Sequence, residues 1–174
     1  MNTCLGASIE FEVTDLELAS VDGAKVIYLE GYLFDALNGP VIFNEAARLA
    51  HLHGAKVALS LSDPWCAERH RAALRDFTAN HVSMLFGNEE EVASLYQCEV
   101  NDAISVLSGT IDEVVVTRGP NGAFVGSKEH SYEIPAMPRG EVIDTTGAGD
   151  LFAAGYLFGR TNGYDLLQAG RIAS

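Results

Sequence analysis

The sequence is short of basic residues: 11 lysines and arginines stand against 24 aspartates and glutamates, a formal net charge of −13. Such a surface repels nucleic-acid backbones and anionic membranes, so neither is an expected partner. A small anion is not excluded, because backbone N–H groups and a helix N-terminus bind phosphate through local partial charges. Cysteine is scarce as well. Cys4, Cys66 and Cys98 are odd in number and widely spaced with no C-x-x-C, which suggests neither a disulfide framework nor a zinc site and fits a reducing compartment. No apolar run approaches the roughly 20 residues that cross a bilayer, and no basic segment followed by an apolar one opens the chain. A cytoplasmic location is expected. No Gly-Lys dipeptide occurs, so a Walker-type phosphate loop is absent, and "GAGDLF" lacks the third glycine of a dinucleotide fingerprint. Repeats, low-complexity tracts and Pro/Ser-rich linkers are missing too, so residues 1–174 read as one α/β domain.

What is present is a regular alternation. Short runs rich in Val, Ile and Leu at 25–31, 56–61, 82–87 and 113–119 read as buried strands, and the longer segments between them have helical period. Together they predict βα units on a mostly parallel sheet. Segment 40–53 spaces Ile42, Ala46, Leu49 and His53 along one helix face and ends at Gly54. Asp63 and Pro64 suit the N-cap and first turn of the next helix. Asn88 suits the cap of "EEEVASLYQ", with acidic residues where the helix dipole favours them. Residues 119–135 predict a turn and an antiparallel hairpin carrying Phe124, Tyr132 and Ile134. Two helices follow, broken near Thr161 to Gly163. The first 13 residues look extended.

The stretch "DTTGAGDLFAAG" at 144–155 carries the most chemistry. Gly147, Ala148 and Gly149 let successive N–H groups point one way, and the apolar run from Leu151 sets a helix behind them, which makes an anion hole. Asp150 at its mouth would repel a merely bound anion. As a base it would take the proton of an attacking hydroxyl while the N–H groups stabilise charge on a transferring phosphoryl group. The plainer alternative is that Asp150 caps the helix and the glycines make a tight turn.

The run from Asp144 to Gly159 resembles the second signature of the PfkB, or ribokinase-like, family of carbohydrate and nucleoside kinases. Asn88-Glu89-Glu90-Glu91 resembles the family's N-x-x-E motif, and Thr117 to Gly122 its T-x-G-x-x-G nucleotide loop, in the family's order. The resemblance implies a three-layer α/β/α ribokinase-like fold, ATP and Mg²⁺ as cofactors, and phosphoryl transfer to an alcohol of a nucleoside or sugar. It implies Asp150 as catalytic base, with Gly147, Ala148 and Gly149 as the anion hole. Glu91 and Asn88 would organise Mg²⁺ and its waters. Thr117, Gly119 and Gly122, together with Asp144, Thr145 and Thr146, would bind the ATP, Asp144 also supporting the loop or the metal. Glu89 and Glu90 read as a solvated acidic first turn. "EGYLFD", "SLSDPW" and "MNTCLGA" look most like the adenosine-kinase-like branch, while Pro64, Trp65 and Cys66 after Asp63 depart from the D-x-N-x-R of sugar-phosphate kinases.

Members of that family are about twice this length. The family's first strands, its Gly-Gly-Asn substrate motif, its β lid and its C-terminal end have no counterpart here, so the fold is expected to be incomplete and the chain to self-associate through exposed sheet edges. A nucleotide-binding fragment without an acceptor site is the alternative function. His51 and His53, two apart on one helix, do not make a metal pair, and His70, His81 and His130 have no partner at ligand spacing. Trp65 reads as a packing residue, as do Phe152, Tyr156 and Phe158.

Overall fold

A computed structural model describes residues 6–16, 21–137, 140 and 142–174. Its centre is a six-stranded sheet in the order β1-β2-β3-β4-β5-β6. Strands β1 (Val26–Glu30), β2 (Lys56–Ser60), β3 (Met84–Asn88) and β4 (Glu113–Thr117) are parallel, and β5 (Ala123–Gly126) and β6 (Ser131–Ile134) form the antiparallel hairpin. The strands read as continuous apolar runs because both faces are covered. Val57, Leu59, Leu85, Val114 and Val116 pack on one side with helices α1 (Gly39–His53), α3 (Arg71–His81), α4 (Glu89–Tyr96) and α5 (Val100–Thr110). Ala58, Met84, Phe86 and Val115 pack on the other against α6 (Ala148–Thr161) and α7 (Leu166–Ala173). The result is the three-layer α/β/α arrangement expected from the sequence. No helix among the described residues is long and apolar enough to cross a membrane.

Local signals place the helix ends where the chemistry demands. Gly54 closes α1 with a left-handed φ of 70°. The short helix α2 (Pro64–Arg69) starts at Asp63, whose carboxylate accepts from the Cys66 N–H at 2.6 Å. Asn88 and Glu91 form a reciprocal capping box at the start of α4, as Asp165 and Gln168 do for α7.

The apolar stripe of α1 is completed by Phe43, Ala47 and Ala50, and His53 is exposed, as a surface histidine is. Several expectations needed correction. Trp65 is 60% exposed rather than packed, since its position on α2 faces away from the helix's buried residues, Cys66 and Ala67. Of the three α6 aromatics only Tyr156 is fully buried; Phe152 is half-buried and Phe158 exposed. Residues 1–5 of the opening stretch lie outside the described residues. The rest of it forms 3-10 turns at Gly6–Glu10 and Val13–Asp15 instead of extended chain, the second held by the Glu12 N–H on the Asp15 carboxylate at 2.8 Å.

Candidate active site

Parallel pairing brings the carboxyl ends of β1 to β4 to one edge of the sheet, the usual place for a ligand crevice in such folds. The register aligns Glu30 with Ser60, Ser60 with Phe86, and Asn88 with Thr117. A cleft of about 720 Å³ opens over these positions. Its far wall is the N-terminus of α6.

That wall is built by a local turn. The Asp144 carboxylate accepts from the Thr146 N–H at 2.9 Å and the Thr146 hydroxyl at 2.8 Å, which holds the loop. The Thr146 bonds keep the Asp144 carboxyl below its ordinary value. Gly147 then takes a left-handed φ of 76° as the residue before α6, a conformation that disfavours any side chain. Thr145, Thr146, Gly147, Gly149 and Asp150 all line the cleft. Ala148 does not; its N–H is donated to the Thr145 carbonyl at 3.1 Å, so it serves the turn. Asp144 also stands behind the lining and supports it.

Asn88, Glu91 and Thr117 occupy the opposite side of the same cleft. Glu91 accepts the Asn88 N–H at 3.0 Å on one oxygen and the Asn88 side-chain amide at 2.7 Å on the other. The carboxylate is buried, at 8% exposure. Burial, against the opposing Asn88 N–H bond and with help from Asp63, Glu30 and Glu90, pushes its pKa up to about 7. Glu89 is not merely solvated, since it pairs with the Arg118 guanidinium at 3.3 Å. Gly119 and Gly122 do not line the cleft. Gly119 begins the turn Gly119–Asn121, and Gly122, at a φ of 90°, lies where a Cβ would overlap the Ile134 carbonyl oxygen. Their glycines are required by the β4–β5 connection.

Several cleft residues were not singled out as site residues in the sequence. Tyr28, Glu30, Ser60 and Ser62 form the near wall. Ser62 is held at a left-handed φ of 67°, where its hydroxyl donates to Glu30 at 2.9 Å and accepts from the Tyr32 N–H at 3.2 Å. A non-glycine residue in that region costs on the order of 1–3 kcal/mol and marks sites where the surroundings impose geometry. Burial, then the Glu30 carboxylate, raises the Tyr28 phenol well above its ordinary value, so it stays protonated as a donor. Glu30, Ser60 and Ser62 share a signal in the sequence, since each sits at or just beyond the carboxyl end of a strand, whereas Tyr28 lies in the middle of β1.

The matched pattern of pfkB family carbohydrate kinases runs over residues 1–174. The chain belongs to this family. It is 32% identical to a cytidine kinase of Thermococcus kodakarensis, over 83% of this chain and 53% of that protein. Among solved structures, a probable sugar kinase from Rhizobium etli superposes with a TM-score of 0.91 at 36% identity. An adenosine kinase from Sinorhizobium meliloti does so with a TM-score of 0.91 at 35% identity. Each structural match covers 95% of this chain and 51% of the other. The chain thus spans about half the length of the pfkB relatives it matches.

Among the described residues the lining contains Glu30, Glu91 and Asp150 but no lysine or arginine. A polyphosphate entering it would meet these carboxylates, and Glu91 is already pushed toward protonation by burial and then by its acidic neighbours. The donor set is therefore all hard oxygen, and it fits Mg²⁺. A raised folded-state pKa means that Glu91 contributes stability in full below its ordinary value of 4.5, and that this contribution is lost as pH rises through about 7. In Mg²⁺-free buffer Glu91→Gln, which keeps the capping box, should flatten the fall in melting temperature across that window. An unchanged slope in a pH series of thermal melts would assign the titration to another group.

Proposed function

We propose that residues 1–174 are the nucleotide-binding and catalytic part of an ATP-dependent kinase that phosphorylates an alcohol of a nucleoside or sugar. The observation that carries this reading is the meeting of Asp150, Gly147 and Gly149 with Asn88, Glu91 and Thr117 around one cleft, although 30 positions separate even the nearest members of the two groups, Thr117 and Gly147. Family membership and the nucleoside-kinase names of relatives support the substrate class.

In this reading Asp150 accepts the proton of the acceptor hydroxyl as its oxygen bonds to the γ-phosphorus and the bond to the β-phosphate oxygen breaks, releasing ADP. The N–H groups of Gly147 and Gly149, at the positive end of α6, face the charge on the transferring oxygens, with Ala148 keeping the turn in shape. Glu91 and Asn88 would hold Mg²⁺ through its waters, since their direct bonds are spent on each other. Bound there, Mg²⁺ would neutralise phosphate charge. Thr117 would meet the nucleotide on the β4 side, with Gly119 and Gly122 shaping the loop behind it and Asp144, Thr145 and Thr146 bracing the phosphate turn.

A second reading has its own support: a nucleotide-binding fragment without turnover fits a chain spanning half of its relatives. Calorimetric titration with Mg·ADP, followed by ADP release from ATP with adenosine or ribose as acceptor, separates the two. Binding with acceptor-dependent turnover supports the kinase; binding alone supports the fragment; no binding removes both. Strand β1 pairs only with β2 among the described residues, so its outer edge is available to a second chain. Sedimentation should show concentration-dependent association, whereas a monodisperse monomer with a cooperative, high-temperature melt would count against it.

A further inference from the structure

Outside the cleft, the structure brings Asp35 to Cys66 and His70, which the sequence places four residues apart. Cys66 lies on α2 and His70 is the residue that caps its C-terminus, four positions later and so on the same face one turn on. Asp35 ends the 3-10 turn Gly31–Asp35 that follows β1. One ligand atom from each of Asp35, Cys66 and His70 lies within 4.8 Å of the others. This overturns the expectation that His70 has no partner at ligand spacing, because the third ligand comes from another βα connection.

We propose that Asp35, Cys66 and His70 form a Zn²⁺ site. The donor set is one sulfur, one imidazole nitrogen and one carboxylate oxygen, a mixture that suits a borderline-soft ion and not Mg²⁺ or Ca²⁺. Three protein ligands leave a fourth position for water. The atoms are oriented before any metal arrives. His70 Nε2 stands 2.7 Å from Asp35 Oδ1, and its ring lies against buried Phe34 with centroids 5.7 Å apart. Cys66 Sγ is fully buried and donates to the Gly31 carbonyl at 3.2 Å.

Tetrahedral coordination needs about 3.3–3.7 Å between ligand atoms, from metal–ligand bonds of about 2.0–2.3 Å. The His70–Asp35 pair must therefore open by less than an ångström, and both side chains are partly exposed, at 26% and 29%, which leaves a path for entry. Arg69 holds the other Asp35 oxygen at 2.6 Å and is itself half-exposed. It would stay on Oδ2 as the partner that orients the ligand, giving up its longer 3.2 Å bond to Oδ1. Burial, with Asp35 and Asp63, pushes the free Cys66 thiol up to about 12. Coordination replaces the S–H bond with an S–Zn bond and releases that proton, while neutral His70 carries its own proton on Nδ1. The thiolate and carboxylate together balance the ion's charge.

The site would join the turn after β1 to the helix after β2, the two connections that carry Glu30 and Ser60 to Ser62 into the cleft. Occupancy should therefore stiffen the near wall.

Titration of the chain with Co²⁺ under reducing conditions tests it. A thiolate-to-cobalt charge-transfer band with the intense visible bands of a tetrahedral ion, saturating at a single equivalent and displaced by Zn²⁺, is expected. Cys66→Ser should abolish the charge-transfer band, and His70→Gln, a partly exposed position that leaves the core intact, should weaken Co²⁺ binding by at least 10-fold. Cys98→Ser, on an exposed residue, should change neither. Absence of the band in the wild-type chain, its survival in Cys66→Ser, or undiminished affinity in His70→Gln would each overturn the assignment. None of these readouts depends on kinase activity.

Discussion

Asp150→Asn is expected to lower acceptor-dependent turnover by on the order of 10²- to 10⁴-fold, the usual contribution of a positioned general base. The replacement keeps the shape of the side chain at the first turn of α6 and removes only its capacity to take a proton. Affinity for Mg·ADP should hold or improve, because a carboxylate beside the Gly147 turn repels phosphate. The measurement is ADP release with ATP and a nucleoside acceptor. If the chain alone is silent, it is joined to the N-terminal half of the Sinorhizobium meliloti adenosine kinase, the relative with 35% identity and a TM-score of 0.91. Near-normal turnover would remove Asp150 from the role of base. Equal losses of turnover and nucleotide affinity would instead point to a collapsed turn.

The largest effect on stability is expected far from that chemistry. Glu113 begins β4, at the opposite end of the strand from Thr117, and is buried. Arg160 on α6 meets it with two bonds, Nε to Oε2 at 2.9 Å and Nη2 to Oε1 at 2.7 Å, and the Tyr156 hydroxyl donates to Oε2 at 2.9 Å. Arg160→Met would leave a buried carboxylate with one neutral donor, which costs about 3–5 kcal/mol. For a domain of this size that is a drop of roughly 6–20 °C in melting temperature. Replacing all three, Glu113→Leu with Arg160→Met and Tyr156→Phe, should recover much of the loss, since an apolar set leaves no buried polar group without a partner. A shift below about 2 °C in Arg160→Met would show that the ion pair gains no more from contact than it loses in desolvation.

The two predictions draw on different kinds of legibility. The four parallel strands, the hairpin and the helix caps at Gly54, Asp63 and Asn88 could be read along the chain, because a strand buried on both faces and a capped helix end are stated by neighbouring residues. The turn before α6 was legible for the same reason: Gly147 needs its left-handed backbone whatever surrounds it. Glu113 gave no such signal. A glutamate at the start of an apolar run reads as a solvated strand end until α6 is laid across it with Arg160 and Tyr156. Trp65 misled in the opposite sense, since local pattern counts it as apolar and only packing decides which side of a short helix reaches the core.

Sequence alone therefore determined the family, the layered fold and the motif residues Asn88, Glu91, Thr117 and Asp150, because each rests on a short stretch whose backbone geometry is set by its own residues. Tertiary structure decided which of them share a space. It moved Ala148, Gly119 and Gly122 from the lining to its support, added Tyr28, Glu30, Ser60 and Ser62 from two other strands and the turn after one of them, and brought Asp35 to Cys66 and His70. The physical reason is that parallel pairing aligns strand ends that lie tens of residues apart, and no local rule of propensity or spacing encodes that alignment.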